Sequence, residues 1–195
     1  MKNIFLFFGA HDGSLINRLD TVTSNNVYGD NISWDEVHMF EPQPVHEQML
    51  LELQSQDLRV RYHKLAVSTT NGIQSFYVKG DPSMGYCSST LDGQKFSGQL
   101  YYTIDVNVIN VVDWIHKHTN EDDFVCIDMD IECEEYNILP IIVESDILNR
   151  IKFISVEFHH GKSHKWSTNS YDKQVEKYIR ERLGDKFLDH NTYYA

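Results

Sequence analysis

The chain has 195 residues, 41% of them hydrophobic and 24% charged, and a formal net charge of −12. That length suits one domain with its own hydrophobic core, needing neither disulfide nor metal to fold. The acidic balance argues against a nucleic-acid partner, whose phosphates call for Lys and Arg, and against an anionic membrane surface.

Met1-Lys2-Asn3 leads into the apolar run Ile4-Phe5-Leu6-Phe7-Phe8. The run is too short to span a membrane and no small-residue cleavage pattern follows it. It predicts a strand buried on both faces and stopped by Gly9. Ser14 to about Asn26 predicts a helix with Leu15, Ile16, Leu19 and Val22 on one side. Glu36 to Phe40 reads as a strand stopped by Pro42, and Val45, Met49, Leu50 and Leu53 then recur at helical spacing. Arg59 to Val67 predicts another strand.

Ile73 to Val78 and Tyr102 to Val108 alternate as strands do. Between them Gly80 to Gly98, rich in Gly, Ser, Asp and Pro, predicts a long loop of the kind that carries function. Val111 to His118 predicts a helix, Phe124 to Ile131 a strand, Glu134 to Val143 a helix and Ile151 to Phe158 a strand. Tyr171 to Leu183 predicts a helix with Val175, Tyr178, Ile179 and Leu183 on one face, ahead of a short C-terminal strand. Residues 162–165 read as a solvated loop, and Tyr86, Trp114 and Trp166 as core or pocket wall. No repeat or low-complexity tract stands out.

Strands alternating with helices predict a single α/β domain, a doubly wound, mostly parallel sheet with helices on both faces. Such sheets bind ligands beyond the carboxyl ends of their strands. That rule selects Gly9–Gly13, Glu41–Pro42, Asp128–Glu132 and Glu157–His160. Cys87, Cys126 and Cys133 have no paired spacing, so they predict neither disulfides nor a zinc site, and a reducing cytoplasmic setting.

Gly9 and Gly13 bracket Ala-His-Asp between a strand and a helix, where small residues allow close backbone approach and a helix N-terminus offers free N–H groups. The turn is not the G-x-G-x-x-G of dinucleotide binders, which argues against NAD. Glu41 ends the second strand, where nucleotide-binding sheets place an acid for the ribose hydroxyls.

In Val125-Cys126-Ile127-Asp128-Met129-Asp130-Ile131-Glu132 the alternation sends Asp128, Asp130 and Glu132 to one side of an extended strand. Three readings stay open. The acids emerge into water, or share a proton and provide a general base, or bind a hard divalent cation. If the next strand adjoins, Glu157 and His159 converge on Asp130 and Glu132. Asp130 or His159 is then the base candidate and Glu132 orients it or binds metal. The metal set is Asp130, Glu132 and Glu157. His159 and His160 read equally well as surface histidines.

Six blocks carry a resemblance. They are Phe8-Gly9-Ala10-His11-Asp12-Gly13-Ser14, Phe40-Glu41-Pro42, Leu65-Ala66-Val67-Ser68, Ser88-Ser89-Thr90-Leu91, Met129-Asp130-Ile131-Glu132-Cys133-Glu134-Glu135-Tyr136 and Val156-Glu157-Phe158-His159. In order and spacing, over roughly residues 4 to 160, the chain resembles the FkbM family of methyltransferases. The resemblance implies a Rossmann-like class I methyltransferase fold with S-adenosylmethionine beyond the first two strands. It places Phe8, Gly9, Ala10, His11, Asp12 and Gly13 along the methionine end of the cofactor. Glu41 and Pro42 then lie at the ribose and Ala66 at the adenine, with Asp128 in the cofactor set. It implies O-methylation of a small-molecule or saccharide hydroxyl.

The chain departs from the family at Phe7, where Asp is usual, at Cys133, where Gly is usual, and at Asp128, where Lys is common. These departures motivate the alternative, a binding domain that kept the methyltransferase fold and lost the chemistry.

Overall fold

The computed structural model describes residues 1–16, 19, 32–79, 88–89, 101–159 and 169–189. Along the chain run β1 (Asn3–Phe8), β2 (Glu36–Phe40), α1 (Pro44–Gln56), β3 (Val60–His63), β4 (Ala66–Ser68), β5 (Gly72–Lys79) and β6 (Ser88–Ser89). They are followed by β7 (Tyr101–Asn110), α2 (Val111–His118), β8 (Phe124–Met129), α3 (Glu135–Glu144), β9 (Ile151–Val156), α4 (Asn169–Leu183) and β10 (Phe187–Asp189).

The aromatic run forms β1 and is buried on both faces, with Ile4 to Phe8 at most 2% exposed. Ile4, Leu6 and Phe8 pack into one core layer, Phe5 and Phe7 into the other. Each such side chain contributes about 1.5–3 kcal/mol by burial. β1 is central because both of its edges are used, by β2 and by β8, each in parallel. The sheet runs β10-β9-β8-β1-β2-β3 with every pairing parallel. Helices α2, α3 and α4 supply the first layer through Ile115, Leu139 and Ile179. Leu50 of α1 and the segment at Ile16 and Leu19 supply the second. The α/β architecture expected from the alternation is present. Strand order reverses between β1 and β8, and their carboxyl ends open there.

The long strand expected over Arg59–Val67 is two strands in two sheets. Leu65 N–H donates to the His63 carbonyl at 2.8 Å, a tight turn that breaks the run. After it β4 joins a second sheet, ordered β4-β7-β5-β6, in which β5 pairs antiparallel with β7. The alternating segments in the middle of the chain build this sheet, around Ala66, Phe76, Val78, Val106 and Val108.

Other boundaries shift as well. β8 ends at Met129, where its partner β1 ends at Phe8, and β9 ends at Val156, opposite Met129. The inner face of α1 is His46, Leu50 and Leu53, while Val45 and Met49 are 38% and 47% exposed. Tyr178 of α4 lies outside, hydrogen-bonded to Glu144, while Ile179 and Leu183 face in. Most of the helix expected from Ser14 to Asn26 lies outside the described residues, as do most of the Gly80–Gly98 loop, Tyr86, Cys87, His160, residues 162–165 and Trp166. Among the described residues no helix is long and apolar enough to cross a membrane.

Candidate active site at the switch point

The Gly9–Gly13 turn leaves β1 at the point where strand order reverses. Gly9 N–H and Ala10 N–H both donate to the Phe40 carbonyl at 3.0 Å, which binds the turn to the end of β2. Gly9 and Gly13 have φ of +85° and +74°, the left-handed region that favours glycine. Space also demands them. A Cβ on Gly9 would meet the Asp130 carbonyl oxygen, and one on Gly13 would meet Leu50 and Leu53 of α1. The glycines therefore let neighbouring backbone and helix come close, a need that spacing alone does not reveal.

Glu41, 4% exposed, spans the turn and the start of α1. Its Oε2 accepts from His11 N–H at 3.0 Å and its Oε1 from Gln43 N–H at 2.9 Å. Burial pushes its carboxyl up to about 7, against the pull of those two hydrogen bonds and of the Gln43 side chain. The His11 ring lies 4.1 Å from the His46 ring, centroid to centroid. Asp12 accepts from Ser14 N–H at 2.9 Å and holds its own local turn.

A cleft of about 110 Å³, open to solvent, lies over these strand ends. Three segments line it. Gly9, His11, Glu41, Pro42 and Gln43 come from the β1 and β2 ends, Ala66, Val67 and Phe76 from the second sheet, and Asp130, Ile131, Glu132 and Glu134 from beyond β8. Of the residues proposed for the cofactor, Gly9, His11, Glu41, Pro42 and Ala66 are in this lining. Phe8 and Ala10 are core residues at 1% and 2% exposure, and Gly13 packs under α1. Asp12 is not part of the lining. Asp128 is 2% exposed and sits within β8, with Phe7 and Ser155 as its register partners on β1 and β9. Two of the three family departures are thus neighbours across two strands.

The acids after β8 are gathered by a turn rather than by strand alternation. Asp130 N–H makes the last sheet-like bond, to the Phe8 carbonyl at 3.0 Å. Glu132 and Cys133 then adopt φ of +50° and +87°, costly for residues with a Cβ. The Cys133 backbone takes the conformation for which the family's glycine is suited, with its sulfur 3.8 Å from the His159 carbonyl.

This turn brings Asp130 and Glu132 to His159, which follows β9. His159 Nε2 lies 3.5 Å from Asp130, 3.6 Å from Glu157 and 3.8 Å from Glu132. Its Nδ1 bonds Glu135 at 3.0 Å, and the same Glu135 oxygen accepts from His159 N–H at 2.8 Å. His159 is therefore no surface histidine. Burial works against its charge, but Glu135, Glu132 and Asp130 together raise it to about 9, which makes it an imidazolium at neutral pH. Burial and the charge of Glu157 push Asp130 up to about 7. Glu135, fully buried at the start of α3, had no role in the sequence reading. Only its place three residues after Glu132 in the quoted block pointed to it. Val67, Phe76, Gln43 and Glu134 were missed because four separate stretches deliver them, β4, β5 and the residues just before α1 and α3.

The family model of the methyltransferase FkbM domain matches residues 8–187. The crystal structure of a methyltransferase FkbM from Methylobacillus flagellatus KT is similar at a TM-score of 0.51 and 17% identity. The similarity covers 92% of this chain and 37% of that one, so the chain spans little more than a third of that protein's length. At that identity the likeness concerns the fold. No curated protein matches the chain. The family match starts at the last residue of β1 and runs past the quoted blocks, through α4 into β10, and on that extent the chain belongs to the FkbM family of methyltransferases.

Proposed function

We propose that the chain transfers the methyl group of S-adenosylmethionine to a hydroxyl of a small-molecule or saccharide acceptor. The observation that carries this reading is that Glu41 and the acids Asp130 and Glu132 share one cleft at the strand-order reversal, where parallel sheets bind nucleotides.

The residues present fit that cofactor. A carboxylate offers about four acceptor positions, and Glu41 uses three of them, on the backbone N–H groups of His11 and Gln43 and on the Gln43 side chain. The position that remains suits a ribose hydroxyl. Phe40, Val67 and Phe76 supply an apolar wall suited to a base. Acids in the same cleft suit a sulfonium.

When bound, S-adenosylmethionine supplies a methyl group on a good leaving group. The protein then has two tasks, to align the hydroxyl oxygen with that methyl and to take the hydroxyl proton. Asp130 is placed for the proton, since its side chain is 39% exposed and lines the cleft. His159, an imidazolium when no cation is bound, faces Asp130 and Glu132 at 3.5 and 3.8 Å and balances their charge rather than acting as the base.

Calorimetry with S-adenosylmethionine and S-adenosylhomocysteine tests the reading. Binding of both is expected, and heat no greater than that of dilution at millimolar ligand would sink it. Labelled methyl transfer to a panel of sugars and small polyols then tests the acceptor class. Binding without transfer to any of them would favour the binding-domain alternative.

A further inference from the structure

We propose that Asp130, Glu132 and Nε2 of His159 form a binding site for one divalent first-row cation, whose open positions face the cleft and take oxygens of the acceptor. The acceptor clause rests on the methyl-transfer reading, whereas the cation site does not.

Geometry carries the proposal. One ligand atom from each of the three residues lies within 4.8 Å of the other two. The His159 side chain is 6% exposed, yet Nε2 makes no hydrogen bond among the described residues. It faces carboxylate oxygens at 3.5, 3.6 and 3.8 Å, too far for hydrogen bonds. Two atoms bound to one ion at about 2.0–2.2 Å, at octahedral to tetrahedral angles, lie about 2.8–3.6 Å apart. The histidine-to-carboxylate separations need to close by only a few tenths of an ångström, and the carboxylate pair, within 4.8 Å, by at most about 1.2 Å, so a small cation fits where a direct hydrogen bond does not.

His159 is also held as metal-binding histidines are held. Its other ring nitrogen bonds the fully buried Glu135 at 3.0 Å, and its backbone N–H bonds the same oxygen. That carboxylate fixes the ring and keeps the remaining proton on Nδ1 when Nε2 is a ligand. Cation binding then displaces the Nε2 proton, since a ligating imidazole is neutral at that nitrogen.

Two carboxylates and one imidazole suit Mn²⁺, Fe²⁺ or Zn²⁺ better than Ca²⁺, which prefers oxygen ligands throughout. Three protein ligands leave positions open, the arrangement of catalytic rather than structural sites. Asp130 and Glu132 line the cleft, so those positions face it. An acceptor with two adjacent oxygens, such as a vicinal diol, would occupy both.

The test is a titration of chelator-treated full-length chain with Mn²⁺ alone, with free ion read by electron paramagnetic resonance. One equivalent is expected to bind with submillimolar affinity. Asp130→Asn and Glu132→Gln alter partly exposed side chains and should each weaken binding tenfold or more. Glu135→Gln should weaken it about 10–100-fold. Circular-dichroism melts check that each variant is folded, and the Asp130 and Glu132 variants decide if the Glu135 variant is not. Mn²⁺ that stays free to millimolar concentration overturns the proposal, as does binding that both Asp130→Asn and Glu132→Gln leave unchanged. No cofactor or acceptor is present, so failure here is distinct from failure to bind S-adenosylmethionine.

Discussion

A Cβ on Gly9 would sit 1.9 Å from the backbone carbonyl oxygen of Asp130. That oxygen belongs to main chain held by the β1–β8 pairing, so it has little freedom to move. Gly9→Ala should cost about 2–4 kcal/mol, from left-handed strain and overpacking together. Urea unfolding measures it. A loss under 0.5 kcal/mol would show that the two strand ends separate easily.

Glu41 joins the turn to α1 through two backbone N–H groups. Glu41→Gln places an amide N–H against one of those donors and removes the charge offered to the ribose. The expected result is at least a tenfold rise in the dissociation constant for S-adenosylmethionine, with about 1–3 kcal/mol lost in stability. Calorimetry on a folded variant checks it, and unchanged affinity would remove Glu41 from the cofactor site.

His38 and His63 share a 2.9 Å hydrogen bond between ring nitrogens, packed against Trp114 and Phe40. Burial, with the charges of His38 and His118, pushes His63 down to about 4. Burial also lowers His38, although Glu36 opposes this, and His118 and Arg61 add to it. The unfolded chain gains these protons near pH 6.5, while folded His63 resists until about pH 4. Stability from this pair is complete above about pH 6.5 and is lost as pH falls toward 4. His63→Phe should show a shallower loss than the parent over that window. Parallel melting curves for the two proteins would contradict the assignment.

Cys133 has φ of +87° in a fully buried turn. In a helix alanine outranks glycine, but here the order should invert. Cys133→Gly is expected to be about 1 kcal/mol more stable than Cys133→Ala, by denaturant unfolding, because only glycine adopts this backbone without strain. Equal stability would mean that the turn relaxes.

Phe7 and Asp128 are register partners on β1 and β8, both 2% exposed. Phe7→Asp would bury a second acid beside the first and should cost about 3–5 kcal/mol. Asp128→Lys in the same chain restores a pair of opposite charges and should recover part of the loss. A double-mutant cycle reads the coupling, and additive effects would show that the two departures are independent.

Strands were legible where apolar runs met Gly or Pro, as at Phe8-Gly9 and Phe40 to Pro42. Glu41 was legible for the same reason, since a strand end places it. The inner face of α1 was misread because Val45 and Met49 are as apolar as the residues that do face inward. Only docking against the sheet selects His46, Leu50 and Leu53. The break at Leu65 carries no Gly or Pro, and is set by pairing with β7 instead. Glu132 reaches His159 through a left-handed turn that no residue type announces. Convergence with Glu157 and His159 was inferable because it needed only that β8 and β9 adjoin.

The reversal of strand order divides the site between two halves of the chain. On the methyl-transfer reading the ribose and base contacts come from residues before the middle of the sequence, and the acid and histidine cluster comes from residues after it. The halves share a core layer and the β1–β8 ladder, and at the site they meet through the Gly9–Asp130 approach. On that reading, substitutions in the acid cluster beyond β8 should change the choice of acceptor more than the contacts to ribose and base. A chimaera joining this N-terminal half to another member's C-terminal half, exchanged at the loop before β8, is expected to take its acceptor range from the donor of the second piece.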